Sequence, residues 1–482
     1  MELSIFFDCR RFTLDEADGS PAKTKQTMQQ QRWNSEFRHW LTVAARAVGF
    51  DRVGVAEVHA LEHPSAVQDA ERFSAWIDAG HAGEMDYLKR RTDAGTLLRA
   101  NPSIAVPWAR SVIVCAINYN FASSPMQKEG CSANNAPPLS IGPSPPGSGW
   151  IARYAWTGRA MDDGIRAPAD YHDLLLSRLR HIEADLLLRA TCTTRCYVDT
   201  GPLVERSLAA EAGIGWIGKN TCIIDQQLGS WLLLGVIVTS LPVEDRNRQF
   251  ADNLSIVTHS KPRSVHAEDL LSADKMAFAP EGLVGALAPD RCGSCTRCID
   301  ACPTGALLGA MSPEAPRGMD ASRCIAYLTI EKKGAIDLEL RAAMGRQVFG
   351  CDICQDVCPW NRKASKAEQN LQAGQPDALS MSRSMRNEPE PKQPALQPRR
   401  ELVNPPLDWL AAMDAREFKR IFKGSPLQRT GRKRLLRNVA IAMGNSGETR
   451  FLSQLETWAT GDDPVLADVA EWARAHLLEY LS

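Results

Sequence analysis

The chain has 482 residues, 44% apolar and 23% charged, the balance of a folded chain of two to four domains, which excludes a minimal module, a fibre and wholesale disorder. Lys plus Arg total 56 against 57 for Asp plus Glu, so any nucleic-acid contact needs a local basic patch. The longest apolar run, Trp231 to Val238, is less than half of the roughly 20 residues that cross a bilayer, and no membrane span is expected.

Residues 1–33 are polar, Gln-rich towards their end and without periodicity, and read as a disordered leader. Arg10 and Arg11 do not open an export signal, because Asp15, Glu16 and Asp18 follow and no apolar segment comes next; a cytoplasmic protein is expected. Residues 34–243 read as one α/β (α+β) domain. Its strands are predicted at 51–58, 111–119, 196–201 and 231–241, short β-branched runs bounded by Gly, Pro or polar clusters. The clearest helix spans Tyr171 to Ala190, where Leu175, Leu179, Ile182 and Leu186 recur at helical spacing. The Pro-, Ser- and Gly-rich stretch 137–149 reads as a surface loop, 244–288 as an insertion, and 366–400 as a polar linker. Residues 401–482 are helical again, in pairs separated by Gly-Asn or Gly-Asp turns, the pattern of HEAT-like repeats with an extended face. Within them, nine basic residues between Arg416 and Arg437 stand against one acid, Glu417. Such a run is most often a solvated helix face, but its local field suits phosphates.

The segment 289–365 carries the plainest chemistry. Eight of the 14 cysteines lie between 292 and 358. The first group, CGSCTRCIDACP, holds Cys292, Cys295, Cys298 and Cys302; the second, CDICQDVCP, holds Cys351, Cys354 and Cys358. Two-residue gaps let thiolates wrap a small inorganic core, and in ferredoxin spacing the fourth cysteine reaches the other cluster. Two 4Fe–4S clusters follow, one held by Cys292, Cys295, Cys298 and Cys358, the other by Cys302, Cys351 and Cys354. Cys324, unassigned in the segment, completes the second. Tetrahedral zinc is the alternative, but it needs only four thiolates, and both Cys-Pro endings favour iron–sulfur. The cysteines at 9, 115, 131, 192, 196 and 222 show no ligand spacing and read as incidental thiols. Clusters in series only carry electrons, so the remainder of the chain must hold a reactive centre or a partner.

Further strings match a known family. GEMDYL (83–88), RYAWTG (153–158), DYH (170–172), VDTGPLVER (198–206), GIGWIGKN (213–220), CIAYLTIE (324–331), FGCDICQDVCPWN (349–361) and GSPLQRTGRKRLLRNVAIAMGN (424–445) together resemble the epoxyqueuosine reductases of tRNA modification. The resemblance implies reduction of epoxyqueuosine to queuosine at the wobble position of a tRNA anticodon, with cobalamin as reactive centre fed by the clusters. It implies Asp199 as the acid that protonates the epoxide oxygen, against a bland reading as a turn cap. Arg153, Tyr154, Tyr171, Arg206, Trp216, Lys219 and Asn220 are its cobalamin candidates. Lys419, Lys423, Arg429, Arg432, Lys433, Arg434 and Arg437 become candidates for the tRNA anticodon stem-loop. An external low-potential electron donor and a monomer are expected. Leu175 stands where a D-x-H-x-x-G cobalamin box needs Gly, so His172 is not assigned to cobalt.

Three departures qualify the resemblance. An extra stretch, 159–169, separates RYAWTG from DYH; Ala326 replaces a small hydroxyl residue; and the insertion lengthens one connection. Two other classes compete: a reductive dehalogenase-like enzyme, disfavoured by the basic tail, and a ferredoxin-type carrier, which leaves VDTGPLVER and GIGWIGKN unexplained.

Overall fold

The computed structural model describes residues 31–120, 145–160, 166–244, 290–309, 317–362 and 397–479. The expectations for 1–30, 137–144, most of the 244–288 insertion and 366–396 fall outside these residues.

The four predicted strand runs form one sheet: β1 (Arg52–Glu57), β2 (Ser111–Asn118), β3 (Thr194–Tyr197) and β4 (Leu232–Thr239), in the order β1-β2-β4-β3. Every pairing is antiparallel, so of the two architectures the sequence allowed the sheet takes the α+β one. β3 starts two residues earlier than expected and stops at Tyr197, which leaves the rest of CYVDTG to form a loop. β2 reads as a continuous apolar run because both its faces are covered. Ile113, Cys115 and Ile117 face α1 (Ser35–Ala47) and α2 (Tyr171–Arg189), packing with Leu41, Leu175 and Leu179. Val112, Val114 and Ala116 face the other way, towards Leu208 and Ala209 of α3 (Glu205–Glu211). β1 carries Gly54 where a Cβ would stand 2.1 Å from the Ala212 carbonyl, so only glycine lets the end of α3 sit on the sheet.

Two boundaries differ from the sequence reading. Trp33, assigned to the leader, is fully buried, with its indole N–H donating to Ser111 Oγ at 2.9 Å, because an aromatic ring over the sheet edge buries more area than any neighbour in a polar stretch. Residues 397–400, assigned to the linker, are structural. Gln397–Pro398 pairs with Thr157 and Gly158, and buried Arg399 donates to the Ile421 carbonyl at 2.9 Å. At the described ends of the extra stretch 159–169, Thr157–Ala160 pairs antiparallel with Arg166–Pro168, and Thr157 Oγ1 donates to the Ala169 carbonyl at 2.7 Å. That pairing keeps RYAWTG and DYH neighbours.

The double-cysteine segment contributes α4 (Ile325–Ile330), and the tail contributes α5 (Gly431–Gly444) together with helices Leu407–Ala412, Ala415–Phe422, Leu452–Ala459 and Pro464–Glu479. α5 is buried at every position from Leu435 to Gly444. From Arg32 onward the described residues form one compact unit whose main core runs from Trp33 to Leu477. The sheet, cysteine and tail segments, distinct in the sequence, share that core.

Candidate functional site

Cys292, Cys295, Cys298 and Cys358 line one cavity of about 230 Å³, with Lys219, Asn220 and Trp360 on its wall. Cys302, Cys324, Cys351 and Cys354 form a second group within electrostatic reach of one another. The two CxxC helices, Arg297–Asp300 and Ile353–Asp356, are single turns whose Cys-Pro ends stop them after one turn. Burial pushes the thiols of Cys324, Cys351 and Cys358 up, and backbone N–H groups pull the other way: Ala326 and Tyr327 on Cys324, Ile353 on Cys351, Trp360 and Asn361 on Cys358. The Ala326 contact is made by backbone, so it does not depend on the hydroxyl that this chain lacks.

The fit to iron–sulfur clusters is direct. Buried sulfurs with N–H donors aimed at them suit an anionic inorganic core. Among the described residues no three His, Cys, Asp or Glu side chains converge tightly enough for a single metal ion. The first four thiols line a cavity and four more form the second group, twice the number that one tetrahedral zinc takes. Buried Asn220 Nδ2, on the cavity wall, has no protein partner, a donor suited to a cluster sulfide. A ninth thiol, missed by spacing, stands here: Cys222 hydrogen-bonds Cys354, and that contact pulls Cys222 down and Cys354 up.

Several cobalamin candidates serve this region. Lys219 donates to the Gly293 carbonyl at 2.7 Å, and with Asn220 it faces the first cysteine group. Trp216 is buried and meets Trp360 edge-on at 5.0 Å. Arg153, 4% exposed, pairs with Asp356 at 2.6 Å and lies 4.3 Å from the Trp231 ring, while its N–H donates to Asp352 at 2.8 Å. Arg153 is therefore a buried tie beneath the second CxxC turn. Arg206 donates to the Thr221 carbonyl at 2.7 Å and fixes the loop that carries Cys222. The motifs GEMDYL and CIAYLTIE interlock: Glu84 pairs with Lys332 at 2.7 Å, and its N–H donates to the Tyr327 hydroxyl at 2.8 Å. Gly83 has φ 54°, and a Cβ there would lie 2.5 Å from that hydroxyl.

The loop after β3 holds the acid. Asp199 has φ 55°, a sparsely populated backbone for a residue with a side chain. Its N–H donates to Glu205 Oε1 at 3.0 Å, and its carboxyl oxygen Oδ2 accepts from the Tyr171 hydroxyl. The acid itself is exposed, between Tyr87 and Tyr171. Burial pushes Glu205 up to about 8, helped by the charge of Asp199 and opposed by its N–H, Arg99 and Arg206. Nothing in the sequence marks Glu205, because an acid in a helix's first turn is common. Burial and Asp199 also hold the Tyr171 phenol well above its usual range, so it stays a donor. Tyr154 meets Tyr171 edge-on at 5.7 Å, so both tyrosines line this loop.

The basic run divides. Lys419 and Lys423 are exposed, and Lys433, 87% exposed, touches Asp463 at 3.1 Å. Arg432 donates to the Met413 carbonyl at 2.7 Å. Arg434 and Arg437 turn inward, contrary to their assignment as RNA contacts. Arg434 donates to the Ile330 carbonyl at 2.6 Å. Arg437, 1% exposed, donates to the carbonyls of Leu328, Lys332 and Gly334 at 2.6, 2.8 and 2.6 Å. They close the C-terminal end of α4, where unpaired carbonyls attract cations. Arg429, exposed, pairs with Asp170 at 2.5 Å and stands against the Tyr171 ring.

Two family models match the chain: "4Fe-4S double cluster binding domain" over residues 291–361 and "Epoxyqueuosine reductase QueG, DUF1730" over 99–200. The epoxyqueuosine reductase of Xanthomonas campestris is 32% identical over 89% of this chain and 93% of its own, and that of Pseudomonas aeruginosa 31% identical over 89% and 91%. The Escherichia coli enzyme of the same name is 30% identical over 90% of this chain and 87% of its own. A crystal structure of epoxyqueuosine reductase with an epoxyqueuosine-modified tRNA-Tyr stem-loop superposes with a TM-score of 0.62 at 26% identity, covering 92% of this chain and 91% of that one. The Bacillus subtilis enzyme, with its catalytic aspartate loop swung out of the active site, superposes equally well at 25% identity.

Proposed function

The chain belongs to the epoxyqueuosine reductase family, and from that premise we infer that it reduces epoxyqueuosine to queuosine in the anticodon loop of a tRNA. The reaction removes the epoxide oxygen as water, consuming two electrons and two protons. The two cysteine groups would hold two 4Fe–4S clusters, and cobalamin would be held on the side of Asp199 where Tyr87 offers an exposed aromatic face to a flat macrocycle. When bound, cobalamin supplies the two-electron reduction of the epoxide, and the clusters supply its electrons one at a time. Tyr87, Tyr154 and Tyr171 would hold it.

The residues of this chain do the proton chemistry and the positioning. Asp199 gives its proton to the epoxide oxygen as the carbon–oxygen bond breaks. Glu205, neutral below about pH 8, holds the strained Asp199 backbone through one hydrogen bond and adds no second charge. Lys419, Lys423 and Lys433 hold RNA phosphates while the base is splayed into the site. The helical tail acts as a HEAT-like RNA platform on a monomeric, cytoplasmic enzyme supplied by an external low-potential donor. Among the described residues no helix is long and apolar enough to cross a membrane.

The observation that carries this reading is Asp199, exposed yet fixed by Glu205 and Tyr171, in a chain that also gathers its cysteines into two groups. After anaerobic reconstitution with iron, sulfide and cobalamin, single turnover on epoxyqueuosine-containing tRNA should form queuosine. Asp199→Ala should lower the rate by about 10²–10⁴-fold with unchanged iron content. Wild-type turnover at an undiminished rate in Asp199→Ala would remove the acid from the mechanism.

A further inference from the structure

Arg429 is the one candidate RNA residue that packs against Tyr171, the hydrogen-bond partner of Asp199. It closes the short turn Pro426–Arg429, 259 positions along the chain from Asp170, and its side chain is 49% exposed. Nη2 meets Asp170 Oδ2 at 2.5 Å, and Cζ lies 5.8 Å from the Tyr171 ring centroid, so the cation stands against the tyrosine. Asp170 in turn uses Oδ1 to cap α2, accepting the His172 N–H at 3.0 Å, so both partners of Arg429 fix the first residue of that helix.

A guanidinium only donates, whereas a phenol hydroxyl both donates and accepts. The Arg429 cation against the Tyr171 ring repels the hydroxyl proton, which the phenol places on Asp199 Oδ2. We propose that Arg429 is a positioning residue for Asp199: through Tyr171 it reserves Oδ2 as an acceptor and leaves Oδ1 to carry the proton given to the epoxide oxygen. The step balances within the proposed reaction, which this inference presupposes. The O–H bond on Oδ1 breaks, a bond to the epoxide oxygen forms, and the charge left on the carboxylate is met by the Tyr171 hydroxyl with the guanidinium behind it. Docking of the tail is thereby a condition for an aligned acid.

The test is single turnover by the reconstituted holoenzyme on an epoxyqueuosine-containing anticodon stem-loop, with RNA affinity measured separately by filter binding. Wild type, Arg429→Ala, Tyr171→Phe and the double variant are compared at equal iron and cobalt content. Arg429→Ala should lower the rate at saturating RNA by about 10–100-fold, while Kd changes less than about threefold. The double variant should be no slower than Tyr171→Phe alone, because both changes cut the same chain of contacts. A weakened Kd with an undiminished saturated rate would make Arg429 a phosphate contact only, and additive losses would place it outside the Tyr171 route; either overturns the proposal. A wild type that turns over separates these failures from failure of the function, whereas a wild type that forms no queuosine overturns both.

Discussion

Replacing Arg437 by Met separates a structural arginine from an RNA-binding one. The guanidinium is buried and makes hydrogen bonds of 2.6–2.8 Å to three carbonyls at and beyond the end of α4. Methionine keeps the hydrocarbon bulk and removes every donor. Hydrogen bonds to a charged group contribute about 1.5–3 kcal/mol each, and a buried carbonyl left unpaired costs about 1–3 kcal/mol. The desolvation of the guanidinium, which burial pulls down to about 10, offsets part of this gain. A net loss of about 3–5 kcal/mol is expected, and at about 2–4 °C per kcal/mol the thermal midpoint should fall by at least about 6 °C. Anaerobic thermal unfolding followed by circular dichroism measures this, and filter binding measures the RNA. An unchanged midpoint with weakened RNA binding would refute the structural assignment and return Arg437 to the RNA surface.

Three further outcomes follow from the site. Cys324→Ser should halve iron from about eight to about four per chain on reconstitution, whereas Cys222→Ala should keep about eight; equal loss in both would make Cys222 a ligand. Glu211, pushed up to about 7 first by burial and then by Asp69 and Glu57, binds its proton more tightly folded than unfolded. Its contribution is therefore complete below about pH 4.5 and lost as pH rises to about 7, so Glu211→Gln should gain up to about 3 kcal/mol over wild type at pH 8 and little at pH 4, checked by urea midpoints at both. Lys419→Ala with Lys423→Ala should weaken stem-loop binding and flatten its salt dependence by about two counterions, and an unchanged slope would exclude both from the interface.

What was readable in advance divides by how local the signal is. Cysteine spacing is a property of adjacent residues, so a partition into two thiol groups could be drawn before any fold, and the structure gathers the thiols along that partition. Strand β2 and helix α2 were equally plain, since burial on two faces or one leaves a period in the chain. Side-chain direction leaves no such trace. Arg153, Arg434 and Arg437 have the composition of surface contacts, and only the packing of distant segments turns them onto Asp356 or the end of α4. Cys222 and Glu205 were missed for the same reason: their partners, Cys354 and Asp199, are set by the fold.

The seam between α4 and α5 has an evolutionary reading. Cys324 stands at the N-terminal end of α4, and Arg434 and Arg437 of α5 close the other end. The part of the chain that would read RNA is thereby bolted to a segment that would wire electrons. Such a tail cannot be exchanged for another recognition module without leaving bare carbonyls beside a redox centre. Diversification of substrate in this architecture must then proceed by altering exposed positions such as Lys419 and Lys423, with the inward arginines held fixed.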